Sequence, residues 1–224
     1  MKLNPIRQSL IAALSISVIG AAAPAVAYDK GDTIVRGGIA SVVPGGSYSS
    51  VAGGKFNLRA DSDIQAGASI SYMMTDSMSV NLLAATPFEH DIEASALGGS
   101  SIGSTKHLPP TVTVSWFPLA GQDFGFKPYI GAGVNYTTFW DEKLNSTGKN
   151  VTPAKDLSLD DSVGLAAQIG VDVPLGENWS VGAAAYYADI DSDLELTLAN
   201  GDTLDAGTVE IDPMIYRLHV GYSF

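Results

Sequence analysis

The sequence predicts an all-β protein, an eight-stranded antiparallel transmembrane β-barrel with short periplasmic turns and long extracellular loops. Three observations lead to this prediction. Apolar side chains alternate with small or polar ones through much of the chain, which is the period of a strand with one apolar face. Hydrophobic residues make up 46% and charged residues only 16%, yet no apolar run after residue 27 reaches helix-spanning length. The chain contains no Cys, so backbone pairing and packing must hold it together.

The first 27 residues are expected to be a cleaved signal peptide, leaving residues 28–224 as a single outer-membrane β-barrel domain. Lys2 and Arg7 give a positive start, residues 10–23 are apolar, and residues 25–27 form an A-x-A cleavage motif. The formal net charge is −12, and losing two cations with the leader makes the chain more acidic. This balance argues against nucleic acid as a partner.

Eight segments show the alternation. They are residues 33–43, 63–75, 78–85, 111–117, 129–140, 162–173, 179–187 and 211–224. In the first, Val35 and Ile39 share one face and Arg36 lies on the other. The short break at residues 75–77 predicts a tight hairpin between the second and third segments. The fourth sets two valines and Trp116 against threonines and a serine.

The later segments repeat the pattern. The fifth places Ile130 and Val134 on one face and Tyr129 and Asn135 on the other. The sixth is the most regular, with Val, Leu, Ala and Ile alternating with mostly small or polar residues. The seventh starts at Trp179 after a short turn.

The eighth segment is predicted to close the barrel. Its apolar positions are Met214, Tyr216, Leu218, Val220, Tyr222 and Phe224. Aromatic residues gather toward its end, as in the interface girdle of a membrane barrel. We expect this strand, ending at Phe224, to engage the barrel-assembly machinery.

The connections between these segments alternate in length. Long ones follow Val43, Ala85, Trp140 and Tyr187, and short ones separate the other neighbours. Extracellular loops and periplasmic turns produce this alternation. The alternative is a soluble, lipocalin-like barrel with its apolar face inside. Its outer face would need charges, whereas the second face here is mainly Gly, Ser, Thr and Ala.

Several stretches carry a family resemblance. Residues 82–88 read LLAATPF, residues 106–111 read KHLPPT, and residues 127–141 read KPYIGAGVNYTTFWD. Asp189-Ile190-Asp191 and Ile211-Asp212-Pro213 add two shorter matches. In these stretches the chain resembles the OmpW family of outer-membrane proteins, and also that family's alkane-uptake branch, over essentially all of residues 28–224.

The resemblance implies an outer-membrane barrel with a narrow, largely apolar channel for passive entry of small hydrophobic molecules. The expected partners are those molecules, outer-membrane lipid and lipopolysaccharide. The alternative is a structural or adhesive barrel with a closed lumen that acts through its extracellular loops.

Strand direction predicts which inward residues share a level. A polar plug is expected near the periplasmic end, formed by Arg36, Asp172, Arg217 and His219. Because an unpaired buried charge is unfavourable, Asp172 should pair with Arg36 or Arg217. An apolar channel lining is expected above it, formed by Phe139, Tyr186, Ile211 and Ile215. The alternative is a packed interior that only holds the barrel together.

Three prolines predict a weak place in the wall. Pro87 follows the third segment, and Pro109 and Pro110 precede the fourth at the same height. Proline donates no ladder hydrogen bond, so it belongs at edges or interruptions. These residues are expected to open a seam through which a ligand leaves sideways; alternatively, they only end the strands.

The sequence indicates no enzyme, no cofactor and no metal site. His90, His107 and His219 occur without an H-E-x-x-H or nucleophile-elbow motif. His90 and His107 flank a predicted loop and are expected to be solvated, although a surface hydrolase remains an alternative. The acidic residues at 189, 191, 193 and 195 lack the spacing of a calcium loop.

Overall fold

A computed structural model describes residues 28–45, 49–51 and 56–224. The expected leader and the glycine-containing stretches 46–48 and 52–55 lie outside the described residues. The strands are β1 (Thr33–Val43), β2 (Ser49–Val51), β3 (Phe56–Ala60), β4 (Asp63–Thr75), β5 (Met78–Ala85), β6 (Phe88–Ala94), β7 (Ser100–Leu108), β8 (Thr111–Trp116), β9 (Lys127–Leu144), β10 (Ala154–Leu159), β11 (Ser162–Leu175), β12 (Trp179–Ala188), β13 (Asp191–Leu198), β14 (Thr203–Glu210) and β15 (Met214–Ser223). A 3-10 turn spans Ser95–Leu97 and helix α1 spans Ser146–Val151. In the described part of the chain, no helix is long and apolar enough to cross a membrane.

Eight of these strands close into an antiparallel barrel. Their order is β11, β12, β15, β1, β4, β5, β8 and β9, and β9 pairs with β11 to complete the circle. Strand β15 pairs with β1 on one side and β12 on the other, so the last strand joins the first. The predicted eight-stranded barrel and the closing role of the last segment are confirmed.

The outer face of the barrel is apolar. Val163 is 75% exposed and Leu165 70% exposed, whereas the neighbouring Ser162 points inward and is 5% exposed. Aromatic residues lie on the outer face toward both ends, Trp116 and Trp179 near the short turns and Tyr136 near the long connections. This is the reverse of a soluble barrel, and it gives the apolar surface that lipid requires.

The long connections are not the irregular loops that the sequence analysis predicted. They contain β2, β3, β6 and β7, which extend the sheet beyond the barrel, and a separate sheet of β10, β13 and β14. Strand β6 alternates buried and exposed residues over Phe88–Ala94, and β13 does so over its first half. Their exposed positions carry Asp and Glu, which made these segments read as polar loops although the period of two was present.

Two apolar clusters lie in the interior. The lower core lies inside the barrel and comprises Tyr28, Ile34, Ala40, Val42, Met73, Leu83, Phe88, Phe117, Tyr129, Ala184, Tyr186 and Ile215. The upper core lies among the strand extensions and comprises Leu58, Ile92, Ala94, Ile102, Phe139, Leu144, Ala154, Leu157, Leu159, Ala188, Ile190, Leu194, Ala206 and Ile211. The upper core is mainly apolar, whereas the barrel interior combines the lower core with buried polar side chains such as Asn81, Thr113 and Gln168.

Candidate functional site

A buried ion pair crosses the lumen near the short-turn end. The Arg36 Nη2 and Asp172 Oδ2 atoms are 2.7 Å apart, and both side chains are almost fully buried. Arg36 Nε also donates to Asp172 Oδ2 at 3.2 Å, and Arg36 Nη1 donates to Ser71 Oγ at 2.7 Å. Charge-assisted bonds of this kind offset part of the desolvation of a buried pair. Of the two partners expected for Asp172, the structure pairs it with Arg36.

Two further groups donate to the same carboxylate. His219 Nε2 lies 2.8 Å from Asp172 Oδ1, so this ring nitrogen carries the proton. The Tyr28 hydroxyl donates to Asp172 Oδ2 at 2.9 Å. We call Arg36, Asp172, His219 and Tyr28 the floor of the lumen. Tyr28 was not among the residues expected in the plug, because it lies ahead of the first predicted strand.

Arg217, the fourth residue of the expected plug, is not part of this network. It is 1% exposed, and within the described residues none of its three guanidinium nitrogens has a hydrogen-bond partner. Its Cζ atom lies 5.6 Å from the centroid of the Tyr186 ring, which provides a cation–π contact. A buried charge without a counter-ion destabilises a protein by about 3–5 kcal/mol, so this arginine needs an explanation.

The four residues expected to line the channel fall into two groups. Phe139 and Ile211 belong to the upper core, whereas Tyr186 and Ile215 belong to the lower core. Tyr186 and Ile215 are ladder partners on β12 and β15, two pairs above Arg217, which is the next pair that faces inward. The expected single lining is therefore split between two levels.

The upper core encloses little empty space. A cavity of about 60 Å³ lies among Leu58, Ile92, Leu157, Leu194 and Ile211. This is about the volume of two water molecules. A larger ligand can occupy this level only if the surrounding side chains move apart.

His90 and His107 form a buried pair between the two cores, contrary to the expectation of solvated loop residues. They lie on β6 and β7, and their Nε2 atoms are 3.3 Å apart. His90 Nδ1 is 2.7 Å from the Asp61 carbonyl oxygen, which can only accept a hydrogen bond. His90 Nδ1 therefore carries its proton, and in the neutral pair His107 Nε2 donates to His90 Nε2. The alternation in β6 is the signal that could have placed His90 inside.

The three prolines border an interruption of the ladder. Pairing of β5 with β8 ends at Leu83 and Thr111, and pairing of β6 with β7 starts at Phe88 and His107. We call residues 84–87 facing residues 108–110 the gap.

Both sides of the gap are held by a neighbouring strand, the first through Thr86 N, which donates to the carbonyl oxygen of Ala66 on β4 at 2.9 Å. Pro87 is exposed on one side. On the other, the carbonyl oxygen of Pro110 accepts from Tyr136 N at 3.0 Å, and that of Pro109 accepts from Asn135 Nδ2 at 3.2 Å. The strand that carries Pro109 and Pro110 is therefore anchored to β9.

Three carboxylates meet at the extended end of the barrel. The carboxylate oxygens of Asp189, Asp191 and Asp212 lie within 4.8 Å of one another. Asp212 Oδ1 also accepts a hydrogen bond from Ile190 N at 3.1 Å. The neighbouring Asp193 is not part of this group; its Oδ1 accepts from Thr208 Oγ1 at 2.7 Å.

Comparisons with known proteins place this arrangement in a family. A model of the OmpW family matches residues 29–224. Outer membrane protein W of Vibrio cholerae is 43% identical over 217 residues, covering 96% of this chain and 98% of that protein.

Solved structures agree. The crystal structure of the outer membrane protein OprG from Pseudomonas aeruginosa is 36% identical with a TM-score of 0.79, covering 88% of this chain and 97% of that one. The structure of outer membrane protein AlkL in lipid bilayers has a TM-score of 0.68 at 20% identity, covering 88% of this chain and 92% of that one, a likeness of fold alone.

Proposed function

The chain belongs to the OmpW family and is an outer-membrane β-barrel, and on this premise we propose that it gives small hydrophobic molecules a passive route across the polar surface of the membrane. The observation that supports the proposal is the order of layers inside the molecule. An apolar upper core at the outer end lies above a hydrogen-bonded floor at the periplasmic end. A hydrophobic molecule is favoured in the first layer and stopped by the second.

The mechanism is partition rather than turnover. Burying apolar surface contributes about 25 cal/mol per Å², so a ligand that buries roughly 200 Å² gains about 5 kcal/mol. A polar solute or an ion gains nothing comparable in the upper core. Since the cavity there is only about 60 Å³, entry requires the side chains around it to move apart and close again.

The gap supplies a sideways exit above the floor. It lies at the height of Tyr136, whose side chain is on the lipid-facing surface near the outer end. Residues 84–87 and 108–110 can separate there without breaking ladder hydrogen bonds between them, because the β5–β8 pairing ends below the gap and the β6–β7 pairing begins above it. A molecule that leaves through the gap enters the outer leaflet directly.

A reversible cross-link tests this route. The chain contains no Cys, so Ala85→Cys with Leu108→Cys places the only two thiols on opposite sides of the gap. A bifunctional thiol reagent containing a disulfide should lower uptake of 1-octanol by cells that produce the protein, and a reductant should restore it. The control pair is Ile70→Cys with Leu82→Cys, which are ladder partners on the outer face. Uptake no higher than in cells without the protein would overturn the whole proposal, and uptake unaffected by the cross-link would overturn only the exit.

A second candidate function is a structural or adhesive barrel with a closed lumen. Two observations favour it: three side chains of the floor donate to the Asp172 carboxylate, and the cavity in the upper core is only about 60 Å³. Such a barrel would act through the surface of its outer strands. Under this alternative the protein leaves the uptake of 1-octanol unchanged, so the same assay separates the two.

The proposed partners follow from the surface of the barrel. The apolar outer face contacts lipid, and the strand extensions above it reach the lipopolysaccharide layer. Strand β15 presents Tyr216, Leu218 and Val220 outward, and Phe224 follows it with 72% exposure. This apolar edge is the signal proposed for recognition by the barrel-assembly machinery.

A further inference from the structure

Arg217 differs from the other buried arginine of the lumen. Arg36 has Asp172 and Ser71 as partners, whereas the guanidinium nitrogens of Arg217 have none among the described residues. A guanidinium carries five donors in a planar fork and stays protonated at any physiological pH. An anion is the partner that satisfies both its charge and its donors.

The wall around Arg217 is built from small residues. Its ladder partners are Ala40 on β1 and Ala184 on β12, and the ladder partner of Ala184 on β11 is Gly170. The Tyr129 ring lies over Gly170, so that a side chain at that position would collide with it. The Tyr129 hydroxyl is buried and also lacks a hydrogen-bond partner among the described residues. This level of the barrel therefore combines an arginine and a tyrosine hydroxyl that can both donate.

The charges of the lumen indicate the valence of the anion. Asp172 balances Arg36, and His219 and Tyr28 donate to the same carboxylate as neutral groups. Lys127 lies below, against the Tyr28 ring at the mouth of the lumen. At the level of Arg217 one positive charge is then left, so a monoanion makes this level neutral. A dianion such as phosphate would leave a negative charge in a low-dielectric interior.

We propose that Arg217, assisted by the Tyr129 hydroxyl, binds the carboxylate of a monocarboxylic acid with a short apolar tail. The planar guanidinium matches a carboxylate in two parallel hydrogen bonds. Above Arg217 lie Ile215 and Tyr186 of the lower core, which suit the tail. This inference rests on the proposed function for the route by which the acid arrives, and it narrows the ligands from hydrophobic molecules to hydrophobic acids.

Three probes separate the contribution of the carboxylate to binding from that of the alkyl chain. They are octanoate, 1-octanol with a chain of the same length and no charge, and acetate with the charge and no long chain. Residues 28–224 contain only Arg36, Arg59 and Arg217 as arginines, so their side-chain Nε–H signals are few enough to assign by NMR. The full mature chain in lipid nanodiscs is titrated with each probe, and empty nanodiscs correct for partition into lipid. Octanoate is expected to shift the Arg217 signal saturably, with an affinity at least about tenfold above that of acetate or 1-octanol.

Arg217→Met should weaken octanoate binding by about tenfold or more and leave the affinity for 1-octanol unchanged. Arg217→Lys should bind octanoate more weakly than the unsubstituted protein and more tightly than Arg217→Met. Equal affinities for octanoate and 1-octanol, or unchanged octanoate binding in Arg217→Met, would overturn the proposal. Acetate binding as tightly as octanoate would overturn the apolar tail. If Arg217→Met does not fold, Arg217→Lys and Tyr129→Phe replace it. Unchanged octanoate binding in both variants would overturn the proposal, as would equal affinities for octanoate and 1-octanol in the unsubstituted chain. Binding of octanoate is measured apart from uptake, so failure here leaves the uptake of 1-octanol, and the function proposed above, standing.

Discussion

His90 and His107 face each other across strands β6 and β7 with their Nε2 atoms 3.3 Å apart, above the lipid-facing band. Burial lowers the pKa of both rings, that of His107 to about 3 with a further contribution from His90. An unfolded histidine has a pKa near 6.5, so the unfolded chain takes up protons first as the pH falls. The stability that these neutral rings contribute is complete above about pH 6.5 and is lost from there toward about pH 3.

The first prediction is that strands β6 and β7 open locally at mildly acidic pH. Amide hydrogen-exchange protection in these strands should fall between pH 8 and pH 5, after correction for intrinsic rates, while that of β4 should stay the same. In the variant His90→Gln/His107→Gln the difference between the two pH values should shrink. Protection in β6 and β7 that does not change with pH would contradict the titration of this pair.

The second prediction concerns the ion pair of the floor. Arg36→Met leaves the Asp172 carboxylate buried without its guanidinium, which should lower the free energy of unfolding by about 3–5 kcal/mol. Arg36→Met combined with Asp172→Asn removes both charges, so this double variant should be more stable than the single one. Urea unfolding in lipid vesicles measures both. A double variant less stable than Arg36→Met would show that the unpaired Asp172 carboxylate is not the cause of the destabilisation.

The third prediction assigns Tyr28 a role as the stopper of the periplasmic mouth. Its ring packs edge-on against Phe117 at 5.6 Å, and Lys127 Nζ lies 4.0 Å from its centroid. Tyr28→Ala should remove this packing and raise ion conductance in planar bilayers. Tyr28→Phe keeps the ring and loses only the bond to Asp172, so its conductance should stay close to that of the unsubstituted protein. Equal conductance in all three would place the barrier elsewhere.

The fourth prediction tests the lipid-facing surface. Val134 is half exposed on the outer face of β9, so Val134→Arg places a charge in the apolar band and should destabilise the barrel by ~2 kcal/mol. Val151→Arg is the control, because Val151 is also an exposed valine but lies at the end of helix α1, outside that band, and its substitution should change stability by less than about 0.5 kcal/mol. Equal effects in urea unfolding from vesicles would argue that the outer face of β9 does not touch lipid.

The fifth prediction concerns assembly. Phe224→Ala, which keeps the backbone hydrogen bonds between this residue and Thr33, should lower the amount of folded barrel in the outer membrane, measured by heat-modifiable mobility on gels. Phe124→Ala is the matched control, since Phe124 is also an exposed phenylalanine but lies in the turn between β8 and β9. Refolding of both proteins in detergent should be unimpaired, because the effect belongs to recognition rather than to stability. Normal assembly of Phe224→Ala would remove this residue from the signal.

The barrel was predictable from the sequence because lipid imposes a strict rule. Every lipid-facing position must be apolar and every strand must pair, so Val35 and Ile39 alternate visibly with Arg36. Beyond the membrane this rule ends. Strand β13 faces water on one side, and its Asp and Glu residues hid a strand that packs Leu194 into the upper core.

The candidate site was predictable only in part. Alternation alone puts Arg36, Asp172, Arg217 and His219 inside, because charged side chains on these strands have nowhere else to point. Asp172 could have paired with either arginine. The choice depends on side-chain rotamers and on the stagger of the eight strands, and neither can be read from the alternation in the sequence. Tyr28 was missed for a similar reason, since its place in the lumen comes from a chain that folds back under the barrel.

The three side chains that donate hydrogen bonds to Asp172 also have a consequence for the cell that makes this protein. An ordinary porin admits nutrients and toxins alike, so its abundance sets how leaky the envelope becomes. Here three side chains donate to the Asp172 carboxylate, which leaves a hydrated ion little to exchange for its water at this level. We therefore expect that cells can raise production of the protein without making the envelope leaky to salts, if the floor stops ions as proposed.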